Sequence, residues 1–167
     1  MIEVFPATIL QKVSEKVISF NSAELKALLD KLFAIMHDRN GAGLAAPQIG
    51  VSKRVFVYGF DGVNPRYPDQ QPVAKSYAIN PEITWYSPEK EGFEEGCLSF
   101  PGLRANVLRS KSIVYTFNDI SGTHLEREVS GFEARIIQHE TDHLNGVLLP
   151  FVAKELSDAD KIKFGLV

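Results

Sequence analysis

A single cysteine, Cys97, stands in 167 residues, so no disulfide can form within the chain. Small secreted domains usually lean on disulfides, and a chain without them is expected in a reducing compartment, the cytoplasm by default. No apolar run approaches the roughly 20 residues that span a bilayer, so no membrane-spanning helix is expected. The first residues mix charged and apolar side chains, without the basic-then-apolar order of a signal peptide. Charge of one sign is not in excess either. The formal net charge is -3, which argues against a strongly basic nucleic-acid binder, and no nucleic-acid motif is present. Repeats and low-complexity tracts are missing. The remaining composition is 44% hydrophobic and 23% charged, too apolar for a disordered chain. The length suits one core and hardly two, so one domain over 1–167 is expected.

The clearest element is a helix over 22–37. Leu25, Leu28, Leu29, Leu32, Phe33 and Met36 recur at three- and four-residue steps and share a face. Asn21 with Glu24 suggests a capping box at its start, and Asn40-Gly41 a stop after its end. Strands are expected over 53–60, 75–80, 82–86, 112–118 and 124–129, with a break at Pro81 and a hairpin turn at 119–122. Between them, 59–75 carries two glycines and three prolines and reads as a long loop, of the kind that is often mobile or functional. A second helix begins near Ser130, where Ser130 and Glu133 have capping-box spacing, and stops at Gly146. Segregated helices and antiparallel strands make the class α+β. His37 and His124 fall near turns and are expected to be exposed.

The sharpest chemical signal is H-E-x-x-H at 139–143. Four residues apart on a helix, His139 and His143 stand one above the other and can bind one metal ion, while Glu140 can reach a water on it. A catalytic site wants a third ligand and an open position. No further histidine follows His143, and the tail is too short for a distant glutamate. Cys97 is the better candidate, in the glycine-bearing segment EGCLS at 95–99, although a lone free cysteine is more often a small buried hydrophobe. A Cys-His-His set is soft enough for Fe(II) or Zn(II). The third feature is GAGLAAPQ at 41–48. Its small residues allow a close backbone approach, either as a helix-to-strand connector or as a substrate cradle with Gln48 as a donor. It is neither a P-loop nor a dinucleotide-binding fingerprint, because the required following residues and the preceding strand are missing.

Together the three segments resemble the peptide deformylases, whose motifs G-x-G-x-A-A-x-Q, E-G-C-x-S and Q-H-E-x-D-H appear here in order as GAGLAAPQ, EGCLS and QHETDH. The resemblance runs from the first helix through Leu149. It implies antiparallel β-sheets packed around a central helix that carries H-E-x-x-H, with an N-terminal helix. It implies Cys97, His139 and His143 as ligands of one divalent metal, Fe(II) in the cell and replaceable by Zn(II), Ni(II) or Co(II). Glu140 becomes the general base and acid, and Gln48 and the Leu98 backbone N–H the donors to the formyl oxygen. Gly41, Ala42, Gly43, Leu44, Gly96, Arg104 and Ile136 would contact the substrate. Glu95 and Arg109 would form an ion pair behind the cysteine segment. The implied reaction is hydrolysis of the formyl group from N-formylmethionine at the start of nascent chains, in a bacterial cytoplasm, with transient ribosome contact as a possible partner interaction.

This chain also departs from the family pattern. Ala42 is smaller than the usual valine or isoleucine beside the methionine pocket, which would widen that pocket. Thr141 is polar where an apolar residue is usual. The spacing from Gln48 to Cys97 is long, with the 59–75 segment taking up the excess and bearing on substrate access. Two other readings compete. A zinc endopeptidase would use the same H-E-x-x-H, but with histidine or glutamate in place of Cys97. A non-catalytic metal- or peptide-binding module would need neither Glu140 nor Gln48.

Overall fold

Burial of one leucine-rich face organises the N-terminal half. Helix α1 (Ala23–Asp38) turns Leu25, Leu29, Leu32 and Met36 inward. Each such side chain is worth roughly 1.5–3 kcal/mol when fully withdrawn from water. The cap is Ser22 rather than Asn21: the Ser22 hydroxyl accepts from Leu25 N at 3.1 Å, while Asn21 adopts φ +56° and donates its N–H to Ile120 O. Asn21 is thus spent on turning the chain into the helix. At the other end Asn40 takes the left-handed conformation, φ +52°. The Asn40 and Gly41 N–H groups close on His37 O and Met36 O, as the stop signal implied.

The computed structural model describes residues 1–166. A five-stranded antiparallel sheet runs in the order β1-β2-β3-β6-β7, from β1 (Gly43–Ala45), β2 (Val55–Phe60), β3 (Val73–Tyr86), β6 (Ser112–Asn118) and β7 (His124–Ser130). Strands β4 (Lys90–Cys97) and β5 (Phe100–Ser110) form a separate hairpin. Helix α2 (Gly131–Leu144) packs between the sheet and this hairpin, and two short helices follow, α3 (Leu149–Val152) and α4 (Asp158–Lys163). The α+β class, with sheets around a central helix bearing 139–143, is therefore what the chain adopts. Among the described residues no helix is long and apolar enough to cross a membrane.

Three local expectations need correction. Pro81 does not end a strand. β3 runs through it, because Asn80 takes φ +51° and the pairing with β6 skips from Ile79 to Glu82, so the missing N–H falls in a bulge. Ser130 makes no side-chain cap. Gly131 has φ +61°, and Glu133 is instead held by the Tyr58 hydroxyl and by Arg127. The β4–β5 hairpin escapes a reading by period, because β4 is charged and glycine-bearing (KEGFEEGC) and only its last three residues are buried. The irregular segment between β2 and β3 is shorter than 59–75, since Phe60 and Val73 already belong to the sheet. His37 and His124 are exposed, at the last turn of α1 and the start of β7.

Candidate active site

Helix α2 presents an unusually polar inner face. Arg135, Gln138, Glu140, Thr141 and His143 are all buried. Its C-terminus is closed by Gly146, φ +70°, with the Gly146 and Val147 N–H groups bonding His143 O and Asp142 O. His139 and His143 thus sit on a helix whose last turn is firmly ended.

β4 delivers Cys97 to this face. The ligating atoms of Cys97, His139 and His143 all lie within 4.8 Å of one another, and Cys97 Sγ is 3.2 Å from His143 Nε2. Two ligands on one tetrahedral ion stand about 3.5 Å apart, so the donor set fits a single divalent metal. The Nδ1 of His139 faces Glu95 Oε2 at 2.9 Å, which leaves Nε2 as its ligating atom. Burial pushes the Cys97 thiol up, but the neighbouring imidazoles of His143 and His139 outweigh it and hold it well below the ordinary thiol range. A thiolate is the form that binds metal.

Glu95 is braced from three sides. Arg109 grips both carboxylate oxygens at 3.0 Å, Arg135 reaches Oε1 at 2.7 Å, and His139 takes the remaining contact. Burial alone would raise this carboxyl. The bonds from His139 and Arg109 instead hold it below its usual range. Arg109 also meets Asp142, and Arg135 donates to Val107 O and Glu91 O. The charges are buried yet fully paired, the condition under which such groups are tolerated. The expected Glu95–Arg109 pair is therefore a buried clamp that orients His139. Arg135 and Asp142 were not anticipated as its members. A signal existed for Arg135, which lies four residues before His139 on the same helical face.

Glu140 is buried, and its Oε2 has no hydrogen-bond partner among the described residues. Burial is the main reason that its carboxyl is pushed up to about 7. Gly43 makes room for it: a Cβ there would lie 2.8 Å from Glu140 Cδ. This is a packing reason for the second glycine of GAGLAAPQ. Within that segment the Gln48 carbonyl oxygen accepts from Ala45 N at 3.0 Å. The amide's orientation is thereby set, so that Nε2 points to Ser99 Oγ at 3.2 Å and stands 3.7 Å from Cys97 Sγ.

A cavity of about 40 Å³ opens beside these groups. Ala42, Gly43, Gln48, Gly96, Cys97, Leu98, Ile136, His139 and Glu140 line it. Gly41 instead lines a neighbouring hollow next to Asp61, and Leu44 turns into the core beneath α1. Arg104 is exposed, bonded to Glu94, and stacked 4.8 Å above the Tyr67 ring, so its side chain stands outside the cavity wall. Tyr67, Phe132 and Arg135 also line the cavity. Tyr67 comes from the segment between β2 and β3, where its only sequence signal is a single aromatic among three prolines and one glycine.

Residues 1–158 match the family model described as polypeptide deformylase. Peptide deformylase 1 of Bordetella pertussis is 44% identical over 156 residues, covering 93% of this chain and 85% of that protein. The peptide deformylase of Thermotoga neapolitana is 41% identical over 148 residues, covering 89% of this chain and 83% of that protein. Among solved structures, the class I type b peptide deformylase of Acinetobacter baumannii with bound Met-Ala-Ser superposes with a TM-score of 0.87 at 39% identity, covering 91% of this chain and 96% of that one.

Proposed function

Because the chain belongs to the polypeptide deformylase family, it is a metal-dependent hydrolase that removes the formyl group from newly made proteins, and we propose the following roles for its residues. Cys97, His139 and His143 hold one divalent ion, Fe(II) in the cell and Zn(II), Ni(II) or Co(II) in isolated protein. Such an ion lowers the pKa of a water and polarises the formyl carbonyl. Glu140 takes the proton from the attacking water and later delivers it to the leaving amine. Its position beside both histidines and its unpartnered oxygen support this role. Gln48 Nε2 and the Leu98 N–H donate to the carbonyl oxygen as negative charge builds on it. The Gln48 amide is held in advance by Ala45 N, so little reorganisation is needed when charge appears. Glu95, with Arg109 and Arg135, keeps the His139 ring in its ligating orientation.

The substrate is an N-formylmethionyl chain, with the first side chain entering the cavity lined by Ala42 and Ile136. This reading treats 1–167 as one catalytic domain acting where bacterial-type translation starts chains with a formyl group, in the cytoplasm, with transient contact at the ribosome. Gly41, Leu44 and Arg104 bear on the substrate only through backbone or through the mouth of the site.

One observation carries the proposal: three metal-ligating atoms converge next to a buried carboxylate oxygen that no described residue engages. A structural site would need no such group. The test is formate release from formyl-Met-Ala-Ser by anaerobically prepared Fe(II) protein, beside Zn(II) protein and a Glu140→Ala control. Release that is faster with iron and lost in the control is expected. No release from Fe(II) protein with metal bound would refute the proposed roles.

A further inference from the structure

The roles above leave unused the side chain that the segment between β2 and β3 sends into the site. A tight turn aims it inward: Asn64 Oδ1 accepts from Arg66 N at 2.9 Å, and Tyr67 N donates to Asn64 O at 3.0 Å. Tyr67 is consequently buried, although the residues on either side of it are not. Its ring packs 5.0 Å from Phe132 and 6.2 Å from Phe93, centroid to centroid. Its hydroxyl is pinned to the residue before Cys97, accepting from Gly96 N at 3.1 Å and lying 3.3 Å from Gly96 O, to which it donates. The Arg104 guanidinium covers the ring from outside. A loop side chain held by packing, two hydrogen bonds and a cation is a fixed wall, not a mobile one.

That wall faces the cavity. Ala42 contributes only a methyl group to the lining, while Tyr67 contributes a ring. About 40 Å³ remains free. The Tyr67 ring narrows the space that the small Ala42 side chain leaves, and a narrow cavity suits the slender, unbranched end of a methionine better than a flat aromatic side chain.

We propose that Tyr67 is a specificity-determining residue, whose ring fills the space that Ala42 leaves and so restricts the first side chain of the substrate to a narrow, unbranched one. The inference rests on the deformylase reading. It makes the loop between β2 and β3 part of the substrate pocket.

The experiment compares formyl-Met-Ala-Ser with formyl-Phe-Ala-Ser in the wild type, Tyr67→Phe, Tyr67→Leu and Tyr67→Ala, all with one metal per chain. The readouts are kcat/KM for each peptide and, independently of catalysis, the Kd of the deformylated peptides Met-Ala-Ser and Phe-Ala-Ser by calorimetry. Hydrophobic pocket changes of this size move discrimination by about 10- to 200-fold. Tyr67→Ala and Tyr67→Leu are expected to shift both the kcat/KM ratio and the Kd ratio toward phenylalanine by at least about tenfold. Tyr67→Phe keeps the ring and is expected to hold both ratios close to wild type. Unchanged ratios in a folded Tyr67→Leu or Tyr67→Ala protein would overturn the proposal, as would an equal shift in Tyr67→Phe. Absence of formate release from the wild type would count against the deformylase roles instead, and the Kd ratios would still test Tyr67.

Discussion

Helix α1 turns only apolar side chains, Leu25, Leu29, Leu32 and Met36, into its core, whereas α2 turns in Arg135, Gln138, Glu140, Thr141 and His143 beside Ala134, Ile136, Ile137 and Leu144. Both helices are buried against the same sheet, from different directions. The inner face of the first is held by the hydrophobic effect, which needs area and shape but no partners. The second buries polar groups that are affordable only where each finds a partner or a task. Arg135 and Gln138 find partners in Glu95 and in Ser110, and His139 finds Glu95. Glu140 and His143 each keep one atom without a partner among the described residues. The contrast separates a helix that supplies packing alone from one that adds chemistry to its packing.

Substitutions should respect that division. The largest effect is expected from Glu140→Gln. It removes the base while keeping the shape, so kcat should fall about 10²–10⁴-fold. Metal content and thermal stability should stay at wild-type level, because the Glu140 Oε2 has no hydrogen-bond partner among the described residues. Metal analysis, calorimetry and formate release check the three parts together. A fall in stability as large as that in activity would break the comparison. Gln48→Ala comes next, with an expected loss of about 10²–10³ in kcat for one removed donor.

On α1 the pattern should invert. Leu32 is completely buried, and Leu32→Ala is expected to cost about 2–5 kcal/mol in denaturant unfolding. The kcat of the remaining folded protein should be close to wild type. Chelation should lower Tm in wild type and in this variant by a similar increment, since an ion bound only by folded protein at 100 times its Kd adds about 2.7 kcal/mol. Unequal increments would show that the α1 core and the metal centre are coupled.

The smallest effect concerns Thr141, whose buried Oγ1 has no partner among the described residues. Thr141→Val replaces that hydroxyl by a methyl group. It should be neutral or stabilising, by up to about 1 kcal/mol, with kcat unchanged. A clear destabilisation would show that the hydroxyl has a task after all.

Chain-local physics determined a good part of this protein. The apolar spacing of 22–37, the stops at Asn40 and Gly146, and the hairpin turn at 119–122 between strands 112–118 and 124–129 are local patterns, and the elements form close to those bounds. The pairing of His139, Glu140 and His143 on one helix is local as well, because helical geometry sets it. Tertiary structure decided the rest. Strand β4 has no clean period of its own, and it is set by pairing with β5, which alternates from Leu103 to Arg109 and packs against α2 and α3. Cys97 reaches the histidines only through that hairpin. Arg135 and Asp142 join the Glu95 clamp, and Tyr67 reaches Gly96, across separations in sequence that no local pattern encodes. Spacing along a chain specifies which residues share a face, but which faces meet is settled when the core excludes water and each buried charge must find a partner.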